Sequence, residues 1–94
     1  MPRYIPVTAD DYTGAAKRLV EQYQEIMGAP AIGVARKNEN LKLKEDDVTG
    51  FEGGRDELDA LITQYEEIIG QVAVRMARKA LADVDVALPE RVEA

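Results

Sequence analysis

The chain has no cysteine and no histidine among its 94 residues. Without cysteine there is no disulfide, no thiol nucleophile and no thiolate metal site. Without histidine there is no His-based catalytic triad, no imidazole ligand for zinc, and none of the side chain that ordinarily titrates near neutral pH. Long apolar runs are missing as well. Nothing approaches the roughly 20 residues of a membrane-spanning helix, and the opening MPRYIPVTADD lacks the apolar stretch of a secretory signal. A cytoplasmic protein with no membrane partner, no metal and no cofactor is therefore expected. Positive charge is scarce: twelve Lys and Arg stand against eighteen Asp and Glu, a net charge of −6. That balance opposes attraction to phosphate backbones, which makes nucleic acid a disfavoured partner. Ten Glu and eight Asp against five Lys also suit a salt-loving cytoplasm, where an acidic surface keeps a protein hydrated.

What is present is enough apolar material, 46% of residues, to build a core. A chain of this length builds only one, so residues 1–94 are expected to form a single domain. Its organising feature is an internal repeat. LVEQYQEIMGAPAIGVARK at 19–37 aligns without a gap on LITQYEEIIGQVAVRMARK at 61–79, with ten of nineteen positions identical. The same offset of 42 lays LKLK at 41–44 on DVDV at 83–86, two alternating tetrapeptides that read as short strands. The repeat unit, 19–44 and again 61–86, is then a long helix followed by an extended piece. So short a unit cannot bury its apolar face alone, and the copies must pack on each other or on a second chain.

In the first copy Tyr12, Ala15, Ala16, Leu19, Val20, Tyr23, Ile26 and Met27 recur at spacings of three and four, one apolar stripe of a helix. Thr8 is its expected cap, with Asp10 and Asp11 in the first turn. Gly28 and Pro30 end or kink it. Beyond them two readings stay open: a second helical segment from Pro30 to Lys37, or a hairpin over 31–44 that turns at Asn38–Asn40. In the second copy a stripe from Leu58 to Val84 runs past Gly70 without a proline. It predicts one helix of roughly 27 residues, about 40 Å at 1.5 Å per residue. A single small domain would leave part of that stripe uncovered, which predicts a homodimer. EDDVTGFEGG, with Gly50, Gly53 and Gly54, reads as a connector between the copies.

Candidate sites are few. Glu25, Glu66 and Glu67 offer carboxylates for a cation or for acid–base work, but they flank the apolar stripe, where Glu is an ordinary helix former. Glu45, Asp46 and Asp47 lack the alternating oxygen ligands and closing Glu of a calcium loop. Tyr23 and Tyr65 share a repeat position and offer a ligand-binding pair, but aromatics at helical spacing are more often core, with the hydroxyls at its boundary. Gly28 and Gly70 also share one, which points to a kink or a close helix crossing. Basic residues gather at the ends of the repeats: Arg36, Lys37, Lys42 and Lys44, then Arg75, Arg78 and Lys79. Cations there complement the helix dipole, and two matching basic ends also suit phosphate contacts.

Two resemblances follow from these motifs. Ile69-Gly70-Gln71-Val72-Ala73-Val74-Arg75-Met76-Ala77-Arg78-Lys79-Ala80 resembles a small helical segment appended to microbial signalling proteins, which implies a protein-interaction role. Ala35-Arg36, then Leu41-Lys42-Leu43-Lys44, then Glu45-Asp46-Asp47-Val48 is similar in order and spacing to archaeal-type histone folds. That second resemblance implies a handshake of two helix–strand units, with DNA contacts from Arg36, Arg78 and Lys79 in a protein adapted to high salt.

The expected architecture is mainly α: two long amphipathic repeat helices packed antiparallel, with short extended segments near 40–44 and 83–86. The alternative is an α+β, helix–hairpin–helix arrangement. The expected function is a non-catalytic protein-interaction or regulatory module, with Ile69, Val72, Met76 and Leu81 as its contact surface and a second copy or another protein as partner. A histone-like DNA-binding protein is the alternative.

Overall fold

The computed structural model describes residues 9–82, 84 and 86–92. In chain order its elements are helices α1 (Ala9–Met27) and α2 (Ala29–Arg36), strands β1 (Leu41–Lys44) and β2 (Asp47–Phe51), helices α3 (Arg55–Ile69) and α4 (Val72–Ala80), and a short 3-10 turn at Glu90–Val92. The fold is mainly helical, with one small two-stranded antiparallel sheet between the two helical units.

The first repeat folds as its stripe predicts up to Gly28. Tyr12, Ala15, Ala16, Leu19, Val20 and Tyr23 of α1 are all buried. Gly28 then takes φ 72°, ψ −146°, a conformation that glycine alone enters freely. Its N–H still donates to the Gln24 carbonyl at 2.8 Å, while its own carbonyl accepts from the Ala31 N–H at 3.0 Å. The chain therefore turns within one residue and starts α2, where Pro30 sits in the first turn and has no amide to waste. Of the two readings for 30–37, the helical one is observed. Thr8, the expected cap of α1, lies outside the described residues.

The second repeat departs from the single helix of roughly 27 residues expected from its uninterrupted stripe. Gly70 adopts φ 71°, ψ −153°, nearly the same as Gly28. Its N–H donates to the Glu66 carbonyl at 2.8 Å and its carbonyl accepts from the Ala73 N–H at 3.0 Å, as in the first copy. The long helix is thus two, α3 of 15 residues and α4 of 9. Apolar periodicity survives the break because α4 folds back to pack on α3 and α1, so residues on both sides of Gly70 still face one core. No Pro is needed, since the backbone turn itself ends the hydrogen-bond ladder. At the other end of α3, the Gly54 N–H donates to the Glu57 carboxylate at 2.7 Å, half of a capping box.

The hairpin is displaced from the sequence reading. The segment 31–36 is helical, and β1 pairs instead with β2, drawn from the segment read as a connector. Leu41 pairs with Phe51, Lys42 with Gly50, Leu43 with Val48 and Lys44 with Asp47. A bulge opposite Lys42 and Leu43 adds one residue to β2, which is why Val48 and Phe51, three apart, are both buried and no alternation marks the strand. The Phe51 N–H donates to the Thr13 hydroxyl at 3.0 Å and ties the hairpin to α1. Of the second expected extended piece, Asp83 and Asp85 lie outside the described residues, and Val84 and Val86 are not in a strand.

Candidate interaction site

The repeat places Tyr23 near the end of α1 and Tyr65 near the end of α3, with Ala31 and Ala73 in the first turns of α2 and α4. These four positions cross-link the copies. The Tyr23 hydroxyl donates to the Ala73 carbonyl at 2.7 Å, and the Tyr65 hydroxyl donates to the Ala31 carbonyl at 2.6 Å. Both rings are fully buried, so the pair is core and leaves no opening for a ligand. Burial pushes both hydroxyls well above the ordinary tyrosine range. Each bond draws the last turn of one copy's first helix alongside the first turn of the other copy's second helix.

Ile26 and Ile68, assigned by periodicity to the buried stripe, are instead 60% and 56% exposed, and Val72 is 46% exposed. A stripe fixes only the angle of a residue around its helix. Which part of that face the neighbouring elements cover decides its burial: Ile26 and Ile68 are left out, while the next residues, Met27 and Ile69, pack against the core.

Of the four residues expected as contact surface, Val72 is on the surface and Ile69 is half-buried against the core. Met76 and Leu81 are corrected: both are buried within this chain, because the turn at Gly70 brings α4 back onto it. The three basic residues Arg36, Arg78 and Lys79 are all exposed, but they do not converge. Arg36 donates to the Glu45 carbonyl at 3.2 Å, and Arg78 Nε donates to the Arg91 carbonyl at 3.0 Å. Lys79 lines a separate depression with Arg18, Glu21 and Glu25 of α1.

Beside each helix junction lies an open cleft. One, of about 550 Å³, is lined by Gln24, Gly28, Ala29, Ile32, Gly33, Arg36 and Asp46. The other, of about 350 Å³, is lined by Glu66, Gln71, Val74, Arg75, Arg78 and Arg91. The repeat offset of 42 maps Gln24, Ala29, Ile32, Gly33 and Arg36 onto Glu66, Gln71, Val74, Arg75 and Arg78. They are the same cleft built twice, closed by Asp46 of the hairpin in one copy and by Arg91 of the 3-10 turn in the other.

Arg91, which no periodicity marks, is the most connected polar residue described. Its Nε donates to the Asp59 carboxylate at 2.6 Å and its Nη2 to the Asp59 carbonyl at 3.0 Å, with further bonds to the Glu66 carboxylate and the Thr63 hydroxyl. Burial disfavours its charge, but Glu66 and Asp59 more than offset this and hold it firmly protonated. The remaining carboxylates are scattered: Glu25 and Glu67 are exposed, and Asp47 pairs with Lys17 at 3.2 Å. Among the described residues no three carboxylates come together to hold a metal ion, and no helix is long and apolar enough to cross a membrane.

Comparison with protein-family models, with curated proteins and with solved structures finds no match.

Proposed function

We propose that the chain is a non-catalytic protein-interaction or regulatory module that associates with a second copy of itself through the apolar ends of its two helix junctions. The observation that carries this reading is the exposure of Ile26 and Ile68, large apolar side chains at matched positions of the repeat, and of Val72 in the second copy. Each helix junction carries one such isoleucine, and a second copy that presents the same apolar side chains offers a self-complementary partner. The likeness of Ile69–Ala80 to helical segments of microbial signalling proteins supports the same reading.

Exposed Glu25 and Glu67 adjoin the two isoleucines, so association brings like charges together and is strengthened by salt, which screens them. Light scattering after size exclusion tests this at low and high salt. The expected result is a dimer that tightens in high salt and becomes a monomer, with unchanged helix content, when Ile26→Ser and Ile68→Ser are combined. A wild-type monomer at both salts overturns the reading.

A histone-like DNA-binding protein is the second reading, favoured by one observation: Arg36 and Arg78 occupy matched, exposed positions near the ends of α2 and α4. The net charge of −6 opposes it. A salt-sensitive complex with duplex DNA, lost on charge reversal at Arg36, Arg78 and Lys79, would establish it in place of the first.

A further inference from the structure

The duplicated clefts differ in charge although their frame is the same. In the first copy one arginine, Arg36, and one carboxylate, Asp46, line the cleft, and the two charges balance. In the second, Gly33 is replaced by Arg75 and the place of Asp46 is taken by Arg91, so three guanidinium groups line one cleft with Glu66 as its only carboxylate among the described residues. Like charges repel, and gathering three arginines in a chain of net charge −6 is not explained by solubility. Nor does complementing the helix dipole explain it: Arg75 precedes the last turn of α4, and Arg91 comes from a different element.

The three arginines are not equivalent. Arg91 is fixed and neutralised by Asp59 and Glu66. Arg78 spends its Nε on the Arg91 carbonyl, which orients its fork and leaves both Nη groups without a partner among the described residues. Arg75 makes no ion pair among the described residues, and it lies three positions from Arg78, on the same side of α4. Two forks with spare donors therefore face a cleft of about 350 Å³, at the lower end of the usual size for small-ligand sites. Planar forks match the oxygens of phosphate and carboxylate groups.

We infer that the cleft beside α4 binds a small organic oxyanion, one that carries a phosphate or carboxylate group, through Arg75 and Arg78. Arg91 is a positioning residue that holds Arg78 in place. The copy-one cleft, whose one arginine shares the lining with Asp46, does not bind such an anion and serves as the internal control.

The test is a titration of the isotope-labelled full chain with sodium phosphate, and separately with sodium citrate, against sodium chloride at matched ionic strength, followed by amide and arginine side-chain NMR. Saturable shifts confined to α4 and the Glu90–Val92 turn are expected with at least one of the two anions. Phosphate alone or citrate alone identifies the group recognised. Arg75→Gln, at an exposed site where folding is not at stake, should weaken binding roughly tenfold, the loss of one charge-assisted fork. Arg75→Lys should recover only part of it, and Arg36→Gln should leave it unchanged. Shifts that never saturate, or that appear equally at α2, overturn the inference. So does a response to duplex DNA alone, which would make the surface a nucleic-acid contact.

Discussion

The ring of Tyr23 lies on the ring of Tyr65, with centroids 4.0 Å apart and planes inclined by 19°. Each hydroxyl reaches past its partner to a backbone carbonyl of the opposite repeat, at Ala73 and Ala31. Two residues that occupy the same place in the duplicated sequence thus meet within the buried core, and each holds the other copy's second helix.

The tyrosine pair makes stability depend on alkaline pH. Burial raises both hydroxyls above their ordinary value of 10.0, and for Tyr23 the neighbouring Tyr65 adds to the effect while Arg91 opposes it. In the unfolded chain each loses its proton near pH 10, whereas in the folded chain each keeps it to higher pH. The stabilisation is complete below pH 10 and is lost as pH rises beyond it, at about 1.4 kcal/mol per pH unit for each tyrosine. Chemical denaturation between pH 8 and 11 should show this steep decline, and Tyr23→Phe with Tyr65→Phe should flatten it. Each single Phe variant should cost about 1 kcal/mol at neutral pH, the net worth of one hydrogen bond.

Glycine is required at the junctions for conformation alone. A Cβ on Gly70 would meet nothing within 4 Å, and one on Gly28 would touch only Pro30 at 4.0 Å. Gly28→Ala and Gly70→Ala should each lose of order 1–3 kcal/mol, from strain alone. Gly53→Ala should lose more. Gly53 has φ 145°, and a Cβ there would fall 2.5 Å from Cβ of Glu57, whose carboxylate caps α3. Thermal melts of the three variants check the order.

Met76 and Val72 should separate stability from association. Met76→Ala opens a cavity in the core and should cost about 2–5 kcal/mol, with loss of helix content on heating at a lower temperature. Val72→Ala should change stability by less than about 0.5 kcal/mol and still weaken self-association. Circular dichroism read beside light scattering distinguishes the two effects.

Arg91 should anchor the C-terminal turn. It joins Glu90–Val92 to α3 through Asp59, Thr63 and Glu66, and Val92 beside it is buried. Arg91→Ala should cost about 1–3 kcal/mol, typical for charged hydrogen bonds. Arg91→Lys should recover little, because an ammonium group cannot span four acceptors held in a fork. Hydrogen exchange at the Val92 amide, which donates to the Pro89 carbonyl at 3.0 Å, should accelerate in both.

The repeat, the apolar face of α1 and the turn at Gly28 were legible in the chain because each rests on local chemistry. Spacing sets one face of a helix, and Pro30 marks the point where the first helix cannot continue. Gly70 shows the limit of such reading. An isolated glycine is tolerated inside a helix at a cost of about 1 kcal/mol, so without a proline beside it nothing local separates a kink from a continuous helix. Its match to Gly28 within the repeat was the available signal. Strand β2 was hidden by its bulge, which removes the alternation by which strands are recognised.

The sequence by itself determined that the chemistry of cysteine and histidine is absent, that the charge is acidic, and that one helical unit is used twice. These depend on residue identity and short-range spacing alone. Only the tertiary structure decided that Met76 and Leu81 are covered while Ile26 and Ile68 are not, and that Arg75 and Arg78 share a cleft with Arg91. Burial and convergence depend on where the chain turns and what packs beside it. Here both follow from two glycine turns and from the crossed bonds of Tyr23 and Tyr65, relationships between residues 34 and 50 positions apart.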